Sequence, residues 1–193
     1  MSEHTPSRRW HAPAAATVAA LLVGLAACGD DPFALDWSDA PDTVQIYSLA
    51  RPELNLASGF SFTPPPSARV IEDPGVTGAW DIAIDTQGGQ LVMLPPGALG
   101  ITANARIAVM GAINFEELRE APEDTLLYEK NNPVPLSDGT VYVVSTNRLS
   151  TGTSSCGYYA KLQPVTIDVP GGTLKFRYVA SPVCNSRDLV SPD

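Results

Sequence analysis

Pro170-Gly171-Gly172, set between two long runs of alternating residues, restricts the fold of this chain more than any other feature. Tyr158 to Val169 and Thr173 to Ala180 read as strands, and the turn between them makes a β-hairpin. In an antiparallel pair, each step back along one strand is matched by a step forward along the other. A turn on Gly171-Gly172 sets Val169 near Thr173, and counting outward brings Cys156 to within two positions of Cys184. Pro164 cannot donate to a strand ladder and marks a bulge that absorbs the slip. The two Cα atoms are therefore expected close enough for a disulfide. Closing a loop of about 28 residues would stabilise the fold by roughly 3–4 kcal/mol in the chain-entropy view.

The rest of the chain repeats this grammar. Thr43 to Leu49, Ala68 to Ile71 and Gly78 to Asp85 have strand character, and Gln87-Gly88-Gly89 turns the last into Gln90 to Leu94. Trp80, Ile82 and Ile84 are expected on an apolar face, with Asp81, Ala83 and Asp85 on an acidic one. Residues 101–113 read as a further strand. Thr140 to Thr146 is apolar on both faces, which suits a central strand. A single short helix is expected at Asn114 to Glu120, with Asn114 as its cap and Glu116 and Glu117 in its first turn. The 18 prolines and 15 glycines argue against a helical bundle. The expected fold is mainly β: one antiparallel β-sandwich-like domain over residues 43–193, with one short helix.

Ahead of that domain lies an address. Arg8 and Arg9 precede an apolar run from Ala12 to Ala27, too short to span a bilayer, and small residues close it. Leu25-Ala26-Ala27-Cys28 resembles the bacterial lipobox, in which the thiol takes a diacylglycerol before cleavage on its amino side. Residues 1–27 are read as a lipoprotein signal peptide cut between Ala27 and Cys28. Residues 28–42 are read as the acylated Cys28 and an acidic tether. Its aspartates (Asp30, Asp31, Asp36, Asp39, Asp42) lack the glycine and terminal glutamate of a calcium loop. The expected location is the cell envelope, with the outer membrane favoured because Gly29 rather than an aspartate follows the cysteine. Export to an oxidising space also favours the Cys156–Cys184 bridge.

Charge and composition then remove function classes. The whole chain carries −9, and cleavage makes the remainder one unit more negative, since Glu3 leaves with Arg8 and Arg9. Nucleic acid is excluded as a partner, and the membrane is reached only through the lipid on Cys28. His4 and His11 leave with the signal, so the mature protein has no histidine for a Ser-His-Asp or Cys-His site. A Ser155–Lys161 pair lacks a recognised spacing, and Lys161 is expected to point outward from its strand. Adjacent Glu116 and Glu117 diverge on a helix and suit no glycosidase geometry. The chain reads as a non-enzyme that binds an unidentified small molecule or protein.

Two stretches carry a resemblance. Trp80-Asp81-Ile82-Ala83-Ile84, and Tyr142-Val143-Val144-Ser145-Thr146 followed by Tyr159-Ala160-Lys161-Leu162-Gln163, resemble core strands of HmuY-like bacterial surface lipoproteins. The similarity covers about residues 76–94 and 140–180. It implies an all-β fold and, as an alternative function, a haem-binding accessory role. Histidine ligation is closed to this chain, so the resemblance leaves Met93 and Met110 as haem ligands. Both lie in apolar runs that read as core packing. No cofactor is therefore expected, and haem is the one to test.

Overall fold

The computed structural model describes Met1, residues 37–151 and residues 154–192. Residues 2–36, with the stretch read as a signal peptide, Ala27, Cys28 and most of the segment read as a tether, lie outside the described residues. In chain order the strands are β1 (Asp42–Tyr47), β2 (Gly59–Ser61), β3 (Ser67–Arg69), β4 (Ile82–Gln87), β5 (Gln90–Leu94), β6 (Arg106–Gly111) and β7 (Tyr128–Glu129). They continue as β8 (Val134–Pro135), β9 (Val141–Ser145), β10 (Leu149–Thr151), β11 (Ser154–Cys156), β12 (Tyr159–Asp168) and β13 (Thr173–Ala180). One sheet has the order β1-β13-β12-β9-β6-β7 and the other β3-β2-β4-β5-β8, while β10 and β11 form a separate hairpin. The pairings within both large sheets are antiparallel. This is the expected β-sandwich-like domain.

Period-two patterning decides which side chains enter the space between the sheets. Ile82, Ile84, Leu91 and Met93 come from one sheet and Ile107, Tyr142, Val144, Leu162, Leu174 and Phe176 from the other, all in one buried cluster. Phe60, Phe62, Phe176 and Tyr178 close one part of it, with ring centroids 4.8–6.2 Å apart and mostly edge-to-face. Each such ring removed from water is worth roughly 1.5–3 kcal/mol, so this cluster anchors the strand ends that carry the clefts below. Val141 and Val143, on the opposite face of β9, are also buried, under Phe115, Tyr128 and Leu189. The central position expected for this strand follows from that double cover.

The hairpin of β12 and β13 departs from its simplest register in two single steps. Asp168, not Val169, pairs with Thr173, and a bulge lies between Pro164 and Thr166. These two slips make up the two positions by which the cysteines missed each other. Cys156 and Cys184 are bridged, with Cα atoms 5.4 Å apart. The β4–β5 turn uses Gly88 and Gly89, both at positive φ (58° and 81°), as a two-residue turn between right-twisted strands demands.

Three expectations are corrected by tertiary contacts. Asn114 to Glu120 makes a single turn, not a helix: Asn114 Oδ1 accepts from Glu116 N at 3.1 Å and Asn114 O from Glu117 N at 3.2 Å. The helical ladder stops there because the Phe115 and Leu118 carbonyls accept instead from Lys161 Nζ, at 3.0 and 2.9 Å. Lys161 points away from the inter-sheet core, as expected, but the turn covers it: it is 2% exposed, with its ammonium 4.8 Å from the Phe115 ring centroid. Burial holds its pKa below the usual lysine range, while the Glu116 and Asp39 carboxylates act in the opposite direction. Trp80 does not share the face of Ile82 and Ile84; it packs with Ala83, Val92 and Leu94 on the other side of its sheet. Asp81 is no solvated acid but 1% exposed. The short helical turns among the described residues fall at Pro74–Val76, Pro96–Leu99 and Thr125–Leu127.

Candidate functional site

The link between β2 and β3 is the feature around which the clefts form. Pro64, Pro65 and Pro66, with a cis bond between the first two, stand as a ridge. On one side is a cleft of about 650 Å³ lined by Trp37, Ser38, Pro41, Asp42, Tyr178, Val179 and Pro182 along with the ridge. On the other is a cleft of about 420 Å³ lined by Ser61, Thr63, Ser67, Arg69, Gly78, Ala79, Asn147 and Leu149. Both volumes lie in the range that holds a small organic ligand.

The first cleft is aromatic and proline-walled. Tyr178 belongs to the inter-sheet ring cluster, so the wall it offers is fixed by the core. Burial, with the Asp42 carboxylate beside it, pushes the Tyr178 phenol above its ordinary pKa and keeps it neutral. Trp37 also lines this cleft, and its indole Nε1 is buried with no hydrogen-bond partner among the described residues. The end of the acidic tether is thus part of the body's surface rather than a bare spacer.

The second cleft lies on the outer face of the β3-edged sheet. Phe60 and Phe62 point into the core, so Ser61 between them points out, and its partner Ser67 does the same. Arg69, two residues on, shares that face and sits opposite Gly59. Asp81 braces the floor from behind. Its Oδ2 accepts from Phe62 N at 2.7 Å and Ser61 Oγ at 3.3 Å, and its Oδ1 from Asn147 N at 2.7 Å. Asn147 in turn donates through Nδ2 to Gly78 O at 3.1 Å and accepts from Asn104 N at 2.9 Å. Desolvation raises the Asp81 pKa, and the hydrogen bonds from Asn147, Phe62 and Ser61 oppose the shift. This network ties the end of β2 to the chain leaving β9, and so fixes both walls of the cleft.

The residues singled out from the sequence scatter. Cys156 and Cys184 meet in the disulfide, at the open end of the hairpin. Met93 is fully buried between the sheets, whereas Met110 is partly buried against the clusters on the far side of β9. The two thioethers do not converge on one cavity, and neither lines the clefts beside the ridge. Ser155 is exposed, and the ammonium of Lys161 is engaged by two carbonyls, so they form no nucleophile–base pair. Among the described residues no group of three or more His, Cys, Asp or Glu is placed to hold a metal ion. Trp37, Arg69 and Asp81 were not singled out as site residues by sequence. A tryptophan in an otherwise acidic tether, and an aspartate inside an apolar strand, were the available signals.

Fold and clefts together define an antiparallel β-sandwich with two surface clefts and a buried carboxylate brace. Searches with this chain match no protein-family model, no curated protein and no solved structure.

Proposed function

We propose that this chain is an exported bacterial lipoprotein, anchored through Cys28, whose β domain is a non-catalytic binding module. Its ligand face is the pair of clefts beside the Pro64–Pro66 ridge. The observation that carries this reading is the geometry: two adjacent clefts of ligand size share one ridge, and their walls are held by the inter-sheet ring cluster and by the Asp81 network. Among the described residues Trp37 Nε1 and Arg69 Nε are buried without a partner in these clefts, as are Trp80 Nε1 and Arg106 Nε, which line neither cleft, so the orphaned donors add to the geometry without carrying the reading. The anchor reading rests on Leu25-Ala26-Ala27-Cys28 and the apolar run before it.

The haem-accessory alternative is less well supported, because Met93 and Met110 lie in separate clusters. The anchor is tested by metabolic labelling with a palmitate analogue and by fractionation. Wild type is expected in carbonate-washed membranes and labelled. Cys28→Ala is expected unlabelled, uncleaved at Ala27, and not lipid-anchored. Label on the variant would refute the lipobox reading.

A further inference from the structure

We infer that the smaller cleft is a site for a hydroxylated carboxylate of the sugar-acid kind, with Arg69 receiving the carboxylate. The inference rests on reading the ridge clefts as ligand sites, and is independent of the anchor.

Charge singles the cleft out. The chain has 21 acidic and 12 basic residues, yet Arg69 is the one charged side chain among the described residues lining this cleft. The ion pairs among the described residues engage Arg51, Arg177 and Arg187, not Arg69. Asp81 lies behind the floor with its oxygens occupied by Phe62, Ser61 and Asn147, so it is not a ready partner for the guanidinium. An arginine fork held on a paired strand matches a planar carboxylate bidentately. One arginine on so acidic a protein suits one negative charge and serves a phosphate dianion poorly.

The remaining lining sets the rest of the ligand. Thr63 and Ser67 line the cleft with hydroxyls suited to a polyol, and Asn147, its Oδ1 taken by Asn104 N and Arg148 N and one Nδ2 hydrogen by Gly78 O, keeps one N–H to donate. Pro65 and Leu149 supply apolar surface for the carbon face of a ring. Such a site binds weakly when only a single sugar occupies it, and millimolar affinity is the scale to look for.

The test is an NMR titration of the purified full-length protein in mild detergent, following the Arg69 Nε–H and Trp37 Nε1–H signals. The probes are D-glucuronate, D-glucose, acetate and inorganic phosphate. Glucuronate is expected to shift the Arg69 signal saturably, with glucose, acetate and phosphate each at least about tenfold weaker. Arg69→Gln, followed through the Ser67 and Asn147 backbone amides because it lacks the Nε–H signal, is expected to weaken glucuronate by about tenfold or more. Leu149→Trp, made at a 49% exposed position and so safe for folding, should obstruct the cleft and do the same. Should Arg69→Gln fail to fold, Leu149→Trp decides. Equal binding of glucose, tighter binding of phosphate or acetate, or indifference to Leu149→Trp would overturn the inference while leaving the clefts as ligand sites. Silence of both signals with every probe would overturn the inference and the reading of the clefts together.

Discussion

A buried carboxylate is expensive unless donors surround it, and Asp81 has Phe62 N, Asn147 N and Ser61 Oγ within hydrogen-bond distance. Both oxygens are used as acceptors. Asp81→Asn would turn an NH₂ toward one of those backbone N–H groups and leave buried donors facing each other. The expected loss is about 1–3 kcal/mol, measured by urea unfolding. The pH dependence has a definite sign. Burial raises the folded pKa above the ordinary 3.8, so the folded protein takes up this proton before the unfolded chain does. Stability from the group is fully present below 3.8 and is lost as pH rises through the folded value. The gap between wild type and the non-titrating Asp81→Asn should therefore widen as pH falls from neutral toward 4. A gap that narrows would show that the hydrogen bonds outweigh desolvation at this site.

At the scale of elements, the β12–β13 hairpin and the segment laid over it hold the domain's large sheet together. Lys161 on β12 fastens the Phe115–Leu118 turn across the sheet face, and Arg177 on β13 adds an ion pair to Glu116 at 3.1 Å. The disulfide closes the open end of the hairpin, where Cys184 is exposed. Replacing both cysteines by serine should lower stability by roughly 3–4 kcal/mol in denaturant melts and leave the sheet intact by circular dichroism. Non-reducing peptide mass spectrometry of the exported wild type should show the Cys156 and Cys184 peptides linked. Two freely alkylatable thiols would contradict the register.

For the whole molecule, the arrangement of sulfur argues against tight haem binding. Axial ligation by two methionines needs both on one slot, and Met93 and Met110 are on opposite sides of the β9 sheet. Of the cations available for the propionates, Lys161 is buried and Arg177 is already paired with Glu116. Titrating ferric and then ferrous haem is expected to give a weak Soret change that does not saturate. A stoichiometric complex lost in Met93→Ala or Met110→Ala would restore the haem-accessory reading.

The sequence by itself determined the features that depend on local chemistry. Turn residues at Gly88-Gly89 and Pro170-Gly171-Gly172 set two hairpins, period-two apolarity set the strands Ile82–Gln87 and Thr173–Ala180, and a run apolar on both faces set Val141–Ser145. Counting along one hairpin found the cysteine pair, because a ladder's register is a local property carried outward. Tertiary structure alone decided the side chains whose partners come from distant segments. Lys161 was buried on the outer face of its strand because carbonyls 46 and 43 residues away in sequence were brought over it. Those same contacts ended the expected helix at Asn114 after one turn. Asp81 became a brace because Asn147, 66 residues on, met it. Trp37 and Arg69 became cleft residues only when the proline ridge was set between them. Periodicity reports the face a residue occupies, but a buried polar group is defined by what arrives from elsewhere in the chain.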